Sequence, residues 1–240
     1  MATRIYQPVP LALGAWRLDE KASHHLARVL RAAIGEEITL FNGEGGEYRA
    51  VIRAISKKQV DVELLQFSSR TVESPVHLIL AQGIARGEKM DFVIQKAVEL
   101  GVSEIYPIIT ERCNVRLDKE REQKRLEHWR AVVISACEQC GRNQLPILHA
   151  PMLLPAWLQA LRAELKFILL PQVERKLKAH STTAKQIALL IGPEGGLSEQ
   201  EITAAQAADF IALNLGPRVL RTETAALTAL AVLQFQFGDI

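Results

Sequence analysis

Near the amino end, apolar and polar side chains alternate. Glu37-Ile38-Thr39-Leu40-Phe41 leads into the turn Asn42-Gly43-Glu44-Gly45-Gly46, and Tyr48 to Ile55 then follows with period two, so the pair predicts a β-hairpin. Beyond Ser56-Lys57-Lys58 the run Gln59 to Leu64 alternates again. One helix is expected ahead of these strands, over about Lys21 to Arg31, because Leu26, Val29 and Leu30 recur at helical spacing. The polar run Ser68 to Pro75 interrupts the rhythm and places a domain boundary between residues 72 and 73. After it, short apolar runs (Val76 to Ala81, Ile105 to Ile109, Phe167 to Leu170, Ile187 to Ile191, Phe210 to Leu215) alternate with longer helical patterns. These fall at Met90 to Leu100, Asp118 to Cys137, Pro155 to Leu165, Ser198 to Ala208 and Thr222 to Phe237. Alternating βα units predict an α/β domain over 73–240, with a largely parallel sheet covered by helices on both faces.

Ligands in such sheets sit beyond the carboxyl ends of the strands, so the loops after the apolar runs carry the candidate chemistry. Ile187 to Ile191 runs directly into Gly192-Pro193-Glu194-Gly195-Gly196-Leu197, where bare main chain lets a ligand approach closely. Ser198-Glu199-Gln200-Glu201 reads as a capping box opening the next helix. The glycine spacing matches neither G-x-G-x-x-G nor a P-loop, so a dinucleotide and ATP are both unsupported. The next strand ends in Gly216-Pro217-Arg218-Val219-Leu220, and Thr222 or Thr224 can cap the last helix. Arg221 and Glu223 crowd that helix start, where residues two apart do not face one another; without a ligand, favourable placement at the positive helix end accounts for Glu223. Arg112, Arg116 and Arg142, in loops flanking the helix at Asp118 to Cys137, are candidates for reading phosphate oxygens. Along that last helix, Leu227, Leu230, Leu233 and Phe237 read as a core stripe.

With 240 residues, 48% hydrophobic and 23% charged, the chain can bury a sizeable core and is no disordered linker. A net charge of only +2 makes no compositional case for nucleic-acid binding, so any basic surface must come from local segregation. The start, Met1 to Pro8, has no apolar signal core, and no stretch approaches the roughly 18 apolar residues of a membrane span. The expectation is a cytoplasmic protein. Three cysteines cannot build a disulfide framework, and the lone Cys137-x-x-Cys140 lacks the second pair that a structural zinc site wants, so no metal is expected.

Several of these segments together resemble a known family. Ile191-Gly192-Pro193-Glu194-Gly195-Gly196-Leu197, followed by Leu215-Gly216 and Leu220-Arg221-Thr222-Glu223-Thr224-Ala225, is similar to the paired motifs of the RsmE family of 16S rRNA uridine-N3 methyltransferases, in the SPOUT superfamily. The likeness extends to His24-His25-Leu26 with Val29-Leu30-Arg31, to Lys96 through Val102, and to Glu138-Gln139-Cys140-Gly141-Arg142, with Cys140 at a position where Ser is commoner. It implies a PUA-like β-barrel for residues 1–72 and, for 73–240, a SPOUT-type α/β domain whose C-terminal segment forms a trefoil knot. It further implies a homodimer that binds S-adenosylmethionine through Leu170, Ile191, Gly192, Glu194, Gly196, Leu215, Gly216, Leu220, Thr224 and Ala225. On this reading Arg221 supplies electrostatic stabilisation and Glu223 accepts a proton, while Arg28, Arg31, Arg112, Arg116 and Arg142 contact 16S rRNA of the small ribosomal subunit, near the decoding centre. Two alternatives stand beside it: a ribose 2′-O-methyltransferase acting on tRNA or rRNA, and a non-catalytic RNA-binding assembly factor.

Overall fold

A computed structural model of the chain describes residues 3–56, 58–113, 119–171 and 184–240. By its internal contacts the chain divides into two compact units, Met1–Glu73 with Ile134–Leu145, and Ser74–Val133 with Pro146–Ile240.

The first unit is built on a five-stranded sheet in the order β1-β3-β4-β5-β2, comprising β1 (Thr3–Tyr6), β2 (Gly14–Arg17), β3 (Glu37–Phe41), β4 (Glu47–Ile55) and β5 (Val60–Ser68). The expected hairpin is β3 and β4, paired antiparallel through Leu40 and Tyr48, whereas β1 runs parallel to β3. Ile38, Leu40, Ala50, Ile52, Val60, Val62 and Leu64 point into one core with Ile5, Leu18 and Leu26. Burial of alternate residues on one face is what the period-two stretches predicted.

The helix expected over Lys21 to Arg31 is two structures. An α-helix, α1 (Glu20–His24), starts on Asp19, whose carboxylate accepts the Ala22 amide at 2.7 Å, and then widens into a π-helical turn over His25–Leu30. The turn closes on Arg31, left-handed at φ 52°, whose amide reaches back to the Leu26 carbonyl. The widening keeps Leu26 fully buried while Val29 and Leu30 are exposed, so the apolar spacing there overstated the buried stripe.

The second unit carries a seven-stranded sheet in the order β12-β10-β11-β6-β7-β8, with β9 also on β7. Its strands are β6 (His77–Gly83), β7 (Glu104–Ile109), β8 (Ile147–Leu148), β9 (Met152–Leu153), β10 (Leu165–Leu169), β11 (Gln186–Ile191) and β12 (Ile211–Leu213). Every pairing among them is parallel. Consecutive residues Leu78, Ile79, Leu80 and Ala81, and likewise Ile187 to Ile191, are all buried, which requires both faces of the sheet to be covered. The helices are α2 (Glu88–Glu99), α3 (Lys119–Cys140, its last turns falling in the first unit's range), α4 (Leu154–Ala160), α5 (Glu199–Ala207) and α6 (Thr222–Phe237). On α2 the buried positions Met90, Val93, Ile94, Ala97 and Val98 follow helical spacing. On α6, Leu230 and Leu233 are buried with Ala225, Ala226 and Ala229, whereas Leu227 and Phe237 are only half-buried, which moves the core stripe off the expected line.

Helix α4 ends at Ala160, five residues before the expected Leu165. The Arg162 guanidinium donates to the Gln159 and Leu161 carbonyls at 2.9 Å each and so occupies acceptors that another helical turn would have used.

Candidate functional site

Within the second unit, the carboxyl ends of β12, β10 and β11, adjacent in the sheet, open onto a cleft of about 970 Å³. A volume of that order suits a nucleoside-sized ligand. The loop after β11 forms one wall. Ser198 accepts the Glu201 amide at 3.2 Å and Glu201 accepts the Ser198 amide at 2.9 Å, so the expected capping box fixes the loop at the head of α5. The other Glu201 oxygen accepts the Glu111 amide at 2.8 Å, and Arg112 donates to the Gly195 carbonyl at 3.2 Å. Thus the segment after β7 is bonded to the glycine loop. Gly196 has φ +70°, and a Cβ there would meet nothing within 4 Å among the described residues. Its main chain is bare where the loop turns.

The opposite wall is the segment from β12 to α6. The Asn214 side chain accepts the Gly216 amide at 2.8 Å and donates to the Pro171 carbonyl at 3.3 Å, tying the ends of β12 and β10 together. Leu215, Arg218, Val219, Leu220, Arg221, Thr222 and Ala225 then line the cleft. Neither threonine caps α6 as expected. The N-cap is Arg221, whose guanidinium has no acceptor to offer, and Thr222, one residue inside the helix, donates its hydroxyl to the Gly192 carbonyl at 2.6 Å.

Of the residues expected to hold a cofactor, Leu170, Ile191, Gly192, Glu194, Gly196, Leu215, Leu220 and Ala225 come together on these walls from three separate stretches of chain. Gly216 and exposed Thr224 lie beside the lining residues. Arg221 is exposed on the wall. Glu223 is set back from it with its side chain 15% exposed, and its Oε2 is buried without a hydrogen-bond partner among the described residues.

Two residues unforeseen in the sequence stand here. Lys89, in the first turn of α2, lines the cleft and places its Nζ 3.2 Å from Glu194 Oε1 and 3.9 Å from Glu223 Oε2. Gln82, near the end of β6, reaches Thr222 from behind. The rule of strand ends would have pointed to the loop after β6 had its sequence been less plain. Burial opposes ionisation of Glu194, but the amides of Glu194 and Arg86 and the Lys89 ammonium outweigh it and hold that carboxyl below its ordinary value.

The arginines expected on RNA separate. Arg28 and Arg31 are exposed on the first unit, and Arg112 is on the cleft of the second. Arg116 lies outside the described residues. Arg142 is not on a phosphate-reading rim: it is 5% exposed, and its Nε and Nη2 grip the Glu73 carboxylate within the first unit. Cys137 is buried, and burial pushes its thiol up to about 12, a poor starting point for a metal-binding thiolate. Among the described residues no helix is long and apolar enough to cross a membrane.

Comparison with known proteins fits this geometry. The RNA methyltransferase domain family matches residues 72–234, and an RNA methyltransferase PUA domain matches residues 18–65. Ribosomal RNA small subunit methyltransferase E of Buchnera aphidicola subsp. Schizaphis graminum is 35% identical over 224 residues, covering 93% of this chain and 91% of the relative. The chain belongs to the ribosomal RNA small subunit methyltransferase E family. Two solved relatives in that fold carry the same ligand. A methyltransferase from Legionella pneumophila in complex with S-adenosylmethionine is 45% identical with TM-score 0.97, and ribosomal RNA small subunit methyltransferase E from Neisseria gonorrhoeae bound to S-adenosylmethionine is 40% identical with TM-score 0.93. Each alignment covers 100% of both chains. The family membership accounts for both halves of the sequence, a PUA-like unit followed by a SPOUT-type α/β domain.

Proposed function

We propose that this protein transfers the methyl group of S-adenosylmethionine to N3 of a uridine in 16S rRNA of the small ribosomal subunit, near the decoding centre, in the cytoplasm. The observation that carries the reading is the cleft at the ends of β12, β10 and β11, with apolar Leu170, Ile191, Leu215 and Leu220 flanking bare main chain at Gly196. Such a site can grip an adenine by main-chain groups and shelter an apolar thioether. The donor supplies a methyl group on a sulfonium that leaves as a neutral thioether. What remains for the chain is to hold the base in line and deal with the N3 proton. We assign proton acceptance to Glu223, whose Oε2 lies 3.9 Å from the Lys89 ammonium and has no hydrogen-bond partner among the described residues, and stabilisation of the uracil anion to the exposed Arg221 guanidinium.

Residues 1–72 form the RNA-binding domain on this reading, with Arg28 and Arg31 as phosphate contacts, and 73–240 the methyltransferase domain. The trefoil path is supported by the strand order. Strand β12 lies outside β10, yet Thr222 bonds to Gly192 after β11 and to Gln82 of β6, so the chain from β12 returns across the ends of β10 and β11. A homodimer is supported by a second groove, about 510 Å³, along α6 at Leu100, Leu227, Thr228, Ala231 and Val232, beside Phe235, which is 78% exposed. A twofold contact lets each Phe235 enter the other copy's groove.

The test is incubation of the purified protein and S-adenosylmethionine with small subunits from cells lacking it, followed by nucleoside mass spectrometry. 3-Methyluridine is expected. A ribose-methylated nucleoside would replace this reading with sugar methylation, and no product together with no cofactor binding would leave a non-catalytic RNA-binding factor.

A further inference from the structure

Gln82 is fully buried near the end of β6, in register with Ile191, one residue before the glycine loop begins. Its Nε2 donates to its neighbour's Gly83 carbonyl and to Thr222 Oγ1, both at 2.9 Å. The Thr222 hydroxyl has one proton, which goes to the Gly192 carbonyl at 2.6 Å, so toward Gln82 it can only accept. That fixes the amide's orientation and leaves its Oε1 buried without a partner among the described residues. An unmatched amide oxygen in an interior costs free energy, and an apolar side chain of the same length would not incur it. The unmatched oxygen is set against the two bonds of Nε2, one of which reaches the residue that ties the two walls of the cleft together. Thr222 and Gly192 lie on opposite walls of the cleft, at the head of α6 and the head of the glycine loop, and the relay from Gln82 sets their separation.

Resting on the reading of this cleft as the S-adenosylmethionine site, we propose that Gln82 and Thr222 are positioning residues, a buried latch that holds the two walls at the spacing the cofactor requires. The comparison is Gln82→Met, Thr222→Val and Thr222→Ser against the full-length wild type, with S-adenosylmethionine affinity by calorimetry and melting temperature on the same samples. Gln82→Met is expected to weaken binding by about tenfold, equivalent to about 1.4 kcal/mol, while melting close to the wild-type temperature, because losing the unmatched oxygen offsets losing the two bonds of the amide nitrogen. Thr222→Val is expected to weaken binding similarly, and Thr222→Ser, which keeps the hydroxyl, to restore it. Should Thr222→Val not fold, Gln82→Met decides alone. Wild-type affinity in Gln82→Met overturns the latch, as does a loss of affinity that only follows a fall in melting temperature. A wild type that binds no S-adenosylmethionine overturns the reading of the cleft itself and the latch with it.

Discussion

Arg221 and Arg142 are the same side chain in two physical situations. Arg221 stands exposed on the cleft wall, where a planar cation can face an anionic base. Arg221→Ala is expected to lower kcat by about a hundredfold while leaving S-adenosylmethionine affinity within the wild-type range, measured by single-turnover methylation and calorimetry. Arg142 is shut away on Glu73, sixty-nine positions earlier in the chain, and removing it leaves a carboxylate that is charged, unpaired by its guanidinium and only 18% exposed. Arg142→Ala is expected to destabilise the protein by about 3 kcal/mol in urea denaturation, in keeping with the cost of breaking a buried pair. In sequence both were arginines next to a glycine-containing loop. What separates them is Glu73, an acidic residue in the polar run Ser68 to Pro75, whose composition marks a boundary and gives no sign of a partner sixty-nine positions on. Lys89 was missed for the opposite reason: it sits in an ordinary first helical turn and acquires meaning only from Glu194 and Glu223, both more than a hundred positions away.

Among the elements, the parallel strands were the easiest to foresee, since a strand buried on both faces is apolar at nearly every position. Their starting ends hold a feature that periodicity did not register. Glu104, at the head of β7, is bonded to His77 at the head of β6 and to His149 just after β8, each at 2.7 Å, and accepts the Tyr106 hydroxyl at 3.0 Å. Burial opposes ionisation of Glu104, but those three bonds outweigh it and hold the carboxyl below its ordinary 4.5. A carboxylate depressed by folding adds stability that is complete above its unfolded pKa and lost as pH falls through the lower folded value. Glu104→Gln is therefore expected to cost about 1–3 kcal/mol at neutral pH and to flatten the acid side of the stability curve below about pH 5, read by chemical denaturation across pH. Helix ends divided in the same way. The capping box at Ser198 and Glu201 was legible because its partners are three residues apart, whereas Thr222, one residue inside α6, spends its hydroxyl on a carbonyl thirty residues away.

For the molecule as a whole, α6 is apolar on more than one side: Leu230 and Leu233 are buried, while Phe235 and the groove beside it remain uncovered in the single chain. Light scattering is expected to give a dimer for the wild type, and Phe235→Asp is expected to give a folded monomer; a Phe235→Asp protein that stays dimeric would place the interface elsewhere. The residues by themselves determined the α/β class, the strand-end placement of the glycine loop and, through two paired motifs, the family, because each depends on neighbours within one element or on a motif read as a string. The tertiary structure alone decided which arginine faces a ligand, how the helix at Lys21 widens into a π turn, and that Gln82, Thr222 and Gly192 meet. Those outcomes hang on contacts between positions far apart in the chain. Burial sets their energies, and burial exists only after the sheet has closed around them.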